Sequence, residues 1–359
     1  MKKFIFLSLI FNLRSFANNI SVNGFGTLSF EQSDSSISTN YGVSNKPNFA
    51  DNSVAGLTIR NYVDENWDFV FQFLAEGNDG EMTNNVDLLQ ATYRPTSNTY
   101  LRVGKIRLPI WMISNYYNVG ALYPWLRPPQ EVYEAQPGIA LYGGNFSYRY
   151  VYQDYTIDAE LYSGSTKFKT NGETKFSGEV SDIIGSNLTF NYQHTTFKIA
   201  YAQGRFAGEI SILQKDAINS TYDGNITANF NLGKAEFFSA GLKSEFKNFL
   251  LWAEYAQEKT TSDNLKKLDA YYTTVGYYFL NKKYLLHLTH SEITKRQSSQ
   301  TFFQGTQDAQ SIGLNYSPNP SVVFKSQFKQ INPDGKGLFT DNPSESTINQ
   351  WGASMNFMF

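Results

Sequence analysis

The chain contains no cysteine and only three histidines in 359 residues. Without cysteine there is no disulfide framework, no thiolate metal site and no thiol nucleophile. Histidine poverty also removes the usual general base from most nucleophile–base sets. Charge is scarce: charged residues make up 17% of the chain, against about 25% in an ordinary soluble domain. No apolar run of about 18 residues occurs in the body of the sequence, which excludes a helical membrane protein. Disorder is excluded as well, because the net charge is only −2 and β-formers are plentiful, with 29 Phe and 24 Tyr. Length alone admits about one to three domains. What remains is a large all-β chain in which aromatics reach 16%.

The N-terminus has the layout of a secretory signal peptide. Met1-Lys2-Lys3 is a basic start, Phe4–Leu13 is an apolar run, and Ser15 and Ala17 place small residues three and one before a cut. Asn12 and Arg14 depart from the ideal pattern. The expected division is residues 1–17 as signal peptide and 18–359 as one β-domain. Cleavage removes Lys2, Lys3 and Arg14, leaving 27 basic residues against 32 acidic ones, about −5. That balance carries no nucleic-acid footprint.

Apolar and polar residues alternate with a period of two along most of the remaining chain. Trp67, Phe69, Phe71, Phe73 and Ala75 share one parity, and Asp68, Gln72 and Glu76 take the other. Ile184, Leu188, Phe190 and Tyr192 oppose Asn187, Thr189, Asn191 and Gln193. Phe249, Leu251, Ala253 and Tyr255 oppose Glu254 and Glu258; Val322, Phe324 and Phe328 oppose Lys325, Gln327 and Lys329. Trp351, Ala353, Met355, Phe357 and Phe359 end the chain on one face.

Two features separate this pattern from a soluble sandwich. The alternating segments run to about 10–12 residues, where a soluble strand averages about 5–6 and a membrane-crossing strand needs about 9–11. The joints also sort by length. Short ones fall at Asp64–Asn66, Thr96–Asn98, Gln153-Asp154, His194-Thr195, Lys247-Asn248, Asn281-Lys282 and Ser317–Pro320. Between them lie the polar stretches Gln32–Asn52, Ser165–Val180, Arg205–Lys234, Thr294–Asp308 and Asn332–Glu345, expected as long loops. Short turns at one end and long loops at the other describe a transmembrane antiparallel β-barrel.

About sixteen segments can be counted, give or take two. They start near Ile20, Ser53, Trp67, Asn85, Thr99, Pro137, Tyr155, Ser181, Thr196, Glu236, Asn248, Asp269, Lys283, Ala309, Ser321 and Ser346. Ala217–Leu232 reads either as a loop or as an extra hairpin. An even count leaves no unpaired edge in lipid, and sixteen strands leave an aqueous lumen. The charges agree with this assignment of faces. Lys or Arg on the lipid face at mid-bilayer costs about 2–4 kcal/mol. Arg60, Arg94, Lys198, Lys243, Lys325 and Lys329 all lie on the parity opposite the apolar set, as do Asp158, Glu160, Glu245 and Glu254. They are expected to face a wet lumen.

Leu101-Arg102-Val103-Gly104-Lys105-Ile106-Arg107-Leu108-Pro109-Ile110 is followed by Tyr123-Pro124-Trp125-Leu126-Arg127-Pro128-Pro129-Gln130-Glu131-Val132-Tyr133. The first stretch resembles the Gly-basic-x-basic-x-Pro segment of the phosphate-selective porin O and P group. More broadly, the mature chain is similar to sixteen-stranded Gram-negative porins, and its terminal Phe359 resembles the signal that their barrel assembly machinery reads. The resemblance implies a homotrimeric channel in outer-membrane lipid, with a long third loop folded into the lumen, passing small solutes or ions passively. The basic ladders of phosphate channels find no residue-by-residue match here.

The loop Leu108–Gln136 suits the constricting role by composition. Trp111, Tyr116, Tyr117, Tyr123 and Trp125 offer surfaces to pack against a wall, and Pro124, Pro128 and Pro129 limit its freedom. A folded cap outside the pore is the alternative. The candidate solute-contacting residues are Arg102, Lys105, Arg107, Arg127, Glu131 and Glu134, a balance of +2 across residues 99–137. A mild preference for small anions follows, since charge at a narrow point outweighs charge on outer loops. Lys105 shares parity with Leu101 and Val103, so it faces the lumen only if Gly104 kinks the strand. Arg127 is the strongest single candidate. Glu131 and Glu134 resemble a glycosidase carboxylate pair, but in such a loop they read better as lumen charges. His287 and His290 point to opposite faces of a strand, which does not suit a shared metal. No cofactor is expected. An enzymatic or adhesive barrel is the alternative to a channel.

Overall fold

Each strand pairs antiparallel with its neighbours in sequence, and the first pairs with the last, so the sheet closes on itself with sixteen members. The computed structural model describes residues 19–78, 81–133, 140–169, 174–215, 222–262, 266–297 and 305–359. The first half comprises β1 (Ile20–Ser33), β2 (Val54–Tyr62), β3 (Trp67–Asn78), β4 (Glu81–Thr96), β5 (Thr99–Arg107), β6 (Ala140–Tyr152), β7 (Tyr155–Lys169) and β8 (Thr174–Tyr192). The second comprises β9 (Thr195–Lys215), β10 (Tyr222–Phe246), β11 (Phe249–Thr260), β12 (Lys267–Phe279), β13 (Tyr284–Gln297), β14 (Thr306–Asn319), β15 (Val322–Asp334) and β16 (Ile348–Met358). The expected signal peptide, residues 1–17, lies outside the described residues, as does Glu134.

The strands match the sixteen alternating segments, but several are longer than the alternation suggests. Ser165–Val180 and Arg205–Lys234, expected as loops, are largely strand: β7 runs to Lys169, β8 starts at Thr174, β9 runs to Lys215 and β10 starts at Tyr222. The reason is physical. Beyond the apolar layer neither face of a hairpin meets lipid, so pairing continues without the period-two signal that marks it. Of the stretch Ala217–Leu232, residues 217–221 lie outside the described residues, and residues 222–232 are strand, with Tyr222↔Lys215 in the β9–β10 ladder.

Outward positions are apolar and exposed, among them Leu28, Phe69, Phe71, Leu101, Val103, Leu188, Leu251, Leu288, Leu314 and Phe328. At the short-turn end, aromatic rings pair across neighbouring strands: Trp67 with Tyr93 at 4.6 Å, Tyr155 with Tyr192 at 4.5 Å and Tyr284 with Tyr316 at 4.8 Å. Such a girdle belongs at a membrane–water boundary. Several short turns carry a left-handed residue, with Gln153, Gln193 and Lys247 at φ of 50°, 49° and 55°.

Burial is concentrated on the inside, on one flank. Phe237, Leu250, Trp252, Leu268, Ala270, Tyr272, Leu285 and Ile293, on β10–β13, form one apolar cluster with residues of the β5–β6 connection. At the long-loop end, residues 34–53 meet residues 335–347 through a Thr39↔Phe339 bridge, with Val43 and Phe339 fully buried.

Candidate functional site

The β5–β6 connection leaves the sheet, so its backbone groups lose their ladder partners and must find others. Inward-facing wall side chains supply them. The Lys325 ammonium on β15 donates to three carbonyl oxygens, those of Gly120 at 2.5 Å, Tyr123 at 2.7 Å and Trp125 at 2.7 Å. Lys198 donates to Trp111 O at 2.8 Å, Ser239 to Ile110 O at 2.6 Å and Asn315 to Pro124 O at 2.8 Å. In the other sense, Glu254 accepts from the Met112 amide at 2.9 Å and Gln327 from the Leu126 amide at 3.1 Å. One segment is thus tied to β9, β10, β11, β14 and β15.

Packing repeats the pattern. Trp111 sits edge-on to Phe237 at 4.8 Å, and Trp125 sits edge-on to Trp252 and Tyr272, both at 5.1 Å. The Trp125 indole N–H finds Thr274 at 2.8 Å and Thr289 at 3.1 Å, as a buried indole requires. Two wall glycines act as sockets. A methyl group at Gly241 would overlap Met112, and one at Gly352 would overlap Leu126.

Glu131 lies in a single helical turn, Gln130–Tyr133, and is fully buried. It pairs with Lys329 at 3.0 Å and accepts from Ser291 at 2.8 Å and Gln307 at 2.7 Å. Burial alone would raise its pKa. The Lys329 ammonium and the surrounding donors hold it below the usual glutamate value instead.

The structure separates the candidate residues rather than assembling them. Arg107 is buried in a two-pronged contact with Asp87 on β4, with Nη1 at 3.0 Å from Oδ1 and Nη2 on Oδ2, and it also reaches Gln72 at 3.3 Å. Asn118 of the connection donates to the same Asp87 at 3.3 Å. Arg127 pairs with Glu31 of β1 at 3.0 Å, donates to Asp51 O at 3.1 Å and lies over the Tyr41 ring at 5.0 Å. Gly104 does adopt a left-handed φ of 124°, yet Lys105 stays on the outward face. There it lies over Tyr142 at 5.5 Å and donates to Val86 O at 2.5 Å, so the kink does not carry it to the lumen. Arg102 is on the inner wall, 3.8 Å from Glu160 and 31% exposed. His287 is buried on the inner face of β13, whereas His290, on its outer face, meets Tyr271 at 3.1 Å.

One expectation needs correction. Lys198, Lys325, Lys329 and Glu254 face inward, but they are buried beneath the connection rather than bathed in water. Arg60, Arg94 and Lys243 do keep part-exposed side chains, at 38%, 24% and 30%. Parity gives both groups the same signal. Only the neighbouring segment tells them apart.

No family model and no curated protein matches this chain. Solved structures do, and the likeness extends over nearly the whole chain. The outer-membrane protein OmpT of Vibrio cholerae is 11% identical with a TM-score of 0.60, covering 95% of this chain and 98% of that one. The anion-selective porin of Comamonas acidovorans is 10% identical with a TM-score of 0.59, covering 95% and 99%. The outer-membrane channel DcaP of Acinetobacter baumannii is 10% identical with a TM-score of 0.60, covering 95% and 97%. At such identities the likeness is one of fold. The fold is the closed sixteen-strand barrel of bacterial outer-membrane proteins.

Proposed function

We propose that this chain is an outer-membrane porin, a water-filled channel through which small hydrophilic solutes and ions diffuse passively, narrowed by the 108–133 connection. One observation carries the reading. Inside a closed barrel whose outside is apolar, a set of inward-facing charged side chains keeps access to solvent: Arg60, Arg94, Arg102, Lys243 and Glu245 are 24–40% exposed, while Asp68, Asp87, Arg107 and Lys198 on β3, β4, β5 and β9 are buried. Charged groups in a sealed core would be shielded throughout, as Lys325 and Glu131 are. Sixteen strands are also wide enough to leave an aqueous passage beside the connection.

Processing after Ala17 delivers the chain to the periplasm, and Phe359 at the closing strand is the recognition element for barrel assembly. The working unit is a homotrimer, for which the support is a trimer form among the similar structures, that of Vibrio cholerae OmpT. The resemblance to phosphate-selective porins bears on selectivity through Arg102, since Arg107 is spent on Asp87 and Lys105 faces outward. Catalysis has no part in this reading.

Purified, refolded protein in a planar lipid bilayer tests it. Stepwise, ohmic conductance increments are expected. A heat-modifiable barrel that inserts without conducting would refute the channel.

A further inference from the structure

Four arginines line the inner wall near the short-turn end: Arg60 on β2, Arg94 on β4, Arg102 on β5 and Arg149 on β6. Two of them have a carboxylate each. Arg102 faces Glu160 at 3.8 Å, and Arg149 faces Asp158 at 2.6 Å. The other two share one. Asp68 is wholly buried, with its Oδ1 3.3 Å from Arg60 Nε and its Oδ2 against Arg94 Nη2. Two guanidiniums on one carboxylate leave this triad with an excess of one positive charge.

The triad has the features of a receptor rather than of a closed ion pair. Both arginine side chains stay part-exposed, at 38% and 24%; Arg60 Nη1 also donates to Tyr62 Oη at 3.4 Å, and the remaining Nη donors are left for a ligand in the passage. Each is braced by a phenol ring, Arg60 at 5.6 Å from Tyr62 and Arg94 at 5.7 Å from Tyr100. Asp68 and the rings fix the two forks in place, which reduces the ordering cost of binding a planar oxyanion. The position is also distinctive. Arg60 and Arg94 each precede the end of their strand by two residues, and Asp68 is the second residue of β3. The triad therefore sits at the mouth on the short-turn side, which is periplasmic in barrels of this kind. The 108–133 connection reaches the same wall farther from that mouth, at Asp87.

We propose that Arg60, Arg94 and Asp68, with Tyr62 and Tyr100, form an oxyanion-binding subsite at the periplasmic mouth, taking phosphate- or carboxylate-type anions. The proposal rests on the channel reading, and its test keeps the two apart. Inorganic phosphate is the probe, added to one side of a bilayer at a time while chloride current is recorded through the refolded full-length barrel. Phosphate from the short-turn side should block with weak voltage dependence, because it crosses little of the field to reach the site. Phosphate from the long-loop side should block with steep voltage dependence. Arg60→Gln with Arg94→Gln should raise the half-blocking concentration about tenfold, the loss of charge-assisted hydrogen bonds amounting to roughly that factor. Arg60→Lys should lie between the wild type and the double variant. Asp68→Asn, which removes the triad's one negative charge, should lower the half-blocking concentration; Arg149→Gln, on the same wall but paired with Asp158, is the neighbouring control and should leave the side dependence intact. A conducting double variant with unchanged block overturns the subsite, and so does equal voltage dependence from both sides. Absence of any conductance in the wild type would instead count against the channel itself.

Discussion

Glu131 Oε1 and Lys329 Nζ lie 3.0 Å apart, with the carboxylate fully buried and the ammonium side chain 8% exposed. One belongs to the connection and the other to the wall of β15. A buried pair contributes little net stability over apolar residues of the same shape, but removing one member leaves a desolvated charge and costs about 3–5 kcal/mol. The pair therefore specifies where the connection sits more than how firmly the barrel folds.

Acid should loosen this contact late. The folded pKa of Glu131 is below its ordinary 4.5, so its contribution is complete above the unfolded value and is lost as pH falls through the lower folded value. The excess current noise of Glu131→Gln over the wild type, which isolates this carboxylate, should be constant from about pH 7 to about pH 5 and vanish only at still lower pH. Glu131→Gln should show raised noise at neutral pH. A difference between variant and wild type that already closes between about pH 6 and about pH 7 would contradict the assignment.

Lys325→Met should free the connection without opening the barrel. Three carbonyls lose their donor at once, at about 1–3 kcal/mol for each group left buried and unpaired. Limited proteolysis should then cut within residues 108–133 while heat-dependent gel mobility stays that of a folded barrel. Resistance equal to the wild type would show that the aromatic contacts hold the segment unaided.

Arg107→Ala should move selectivity toward cations, since it leaves the Asp87 carboxylate buried without its guanidinium. The cost in stability should be about 3–5 kcal/mol. Adding Asp87→Asn should restore much of both, because the orphaned charge is gone. Reversal potentials across a salt gradient and urea midpoints would measure the two effects. No coupling between the two positions would dissolve the pair as an explanation.

Deleting Phe359 should impair membrane insertion. Its amide and carbonyl both pair with Gly24, each at 2.9 Å, and its ring covers the space that a side chain at Gly24 would occupy. Gly24→Val should therefore reduce barrel yield, and Phe359→Ala in the same chain should relieve the clash but not the assembly defect. Removal of residues near Asn171, outside the described part of the chain, should matter far less. Fractionation with heat-modifiable mobility reads all three, and full yield from the deleted chain would remove Phe359 from the assembly step.

The number of membrane strands, and the face that each residue takes, could be read from the chain itself. A lipid-facing charge is expensive and a strand presents alternate residues to alternate faces, so the parity of Phe69, Phe71 and Phe73 against Asp68 and Gln72 already encodes inside and outside. Parity even placed Lys105 with the outward set, and the left-handed Gly104 did not move it. What parity does not encode is depth or company. Lys325 and Arg60 carry the same inward signal, yet one is sealed under the carbonyls of residues 200 or more positions away and the other keeps a part-exposed side chain. Arg107 and Arg127 look like free pore cations in a row of letters and are neutralised by Asp87 and Glu31 only once β4 and β1 stand beside the connection. Alternation is a local consequence of strand geometry and solvent. The sharing of Asp68 by two arginines needs only the register of the adjacent strands β2, β3 and β4, whereas the Arg127–Glu31 pair and the burial of Lys325 beneath the β5–β6 connection depend on tertiary contacts between segments far apart in sequence.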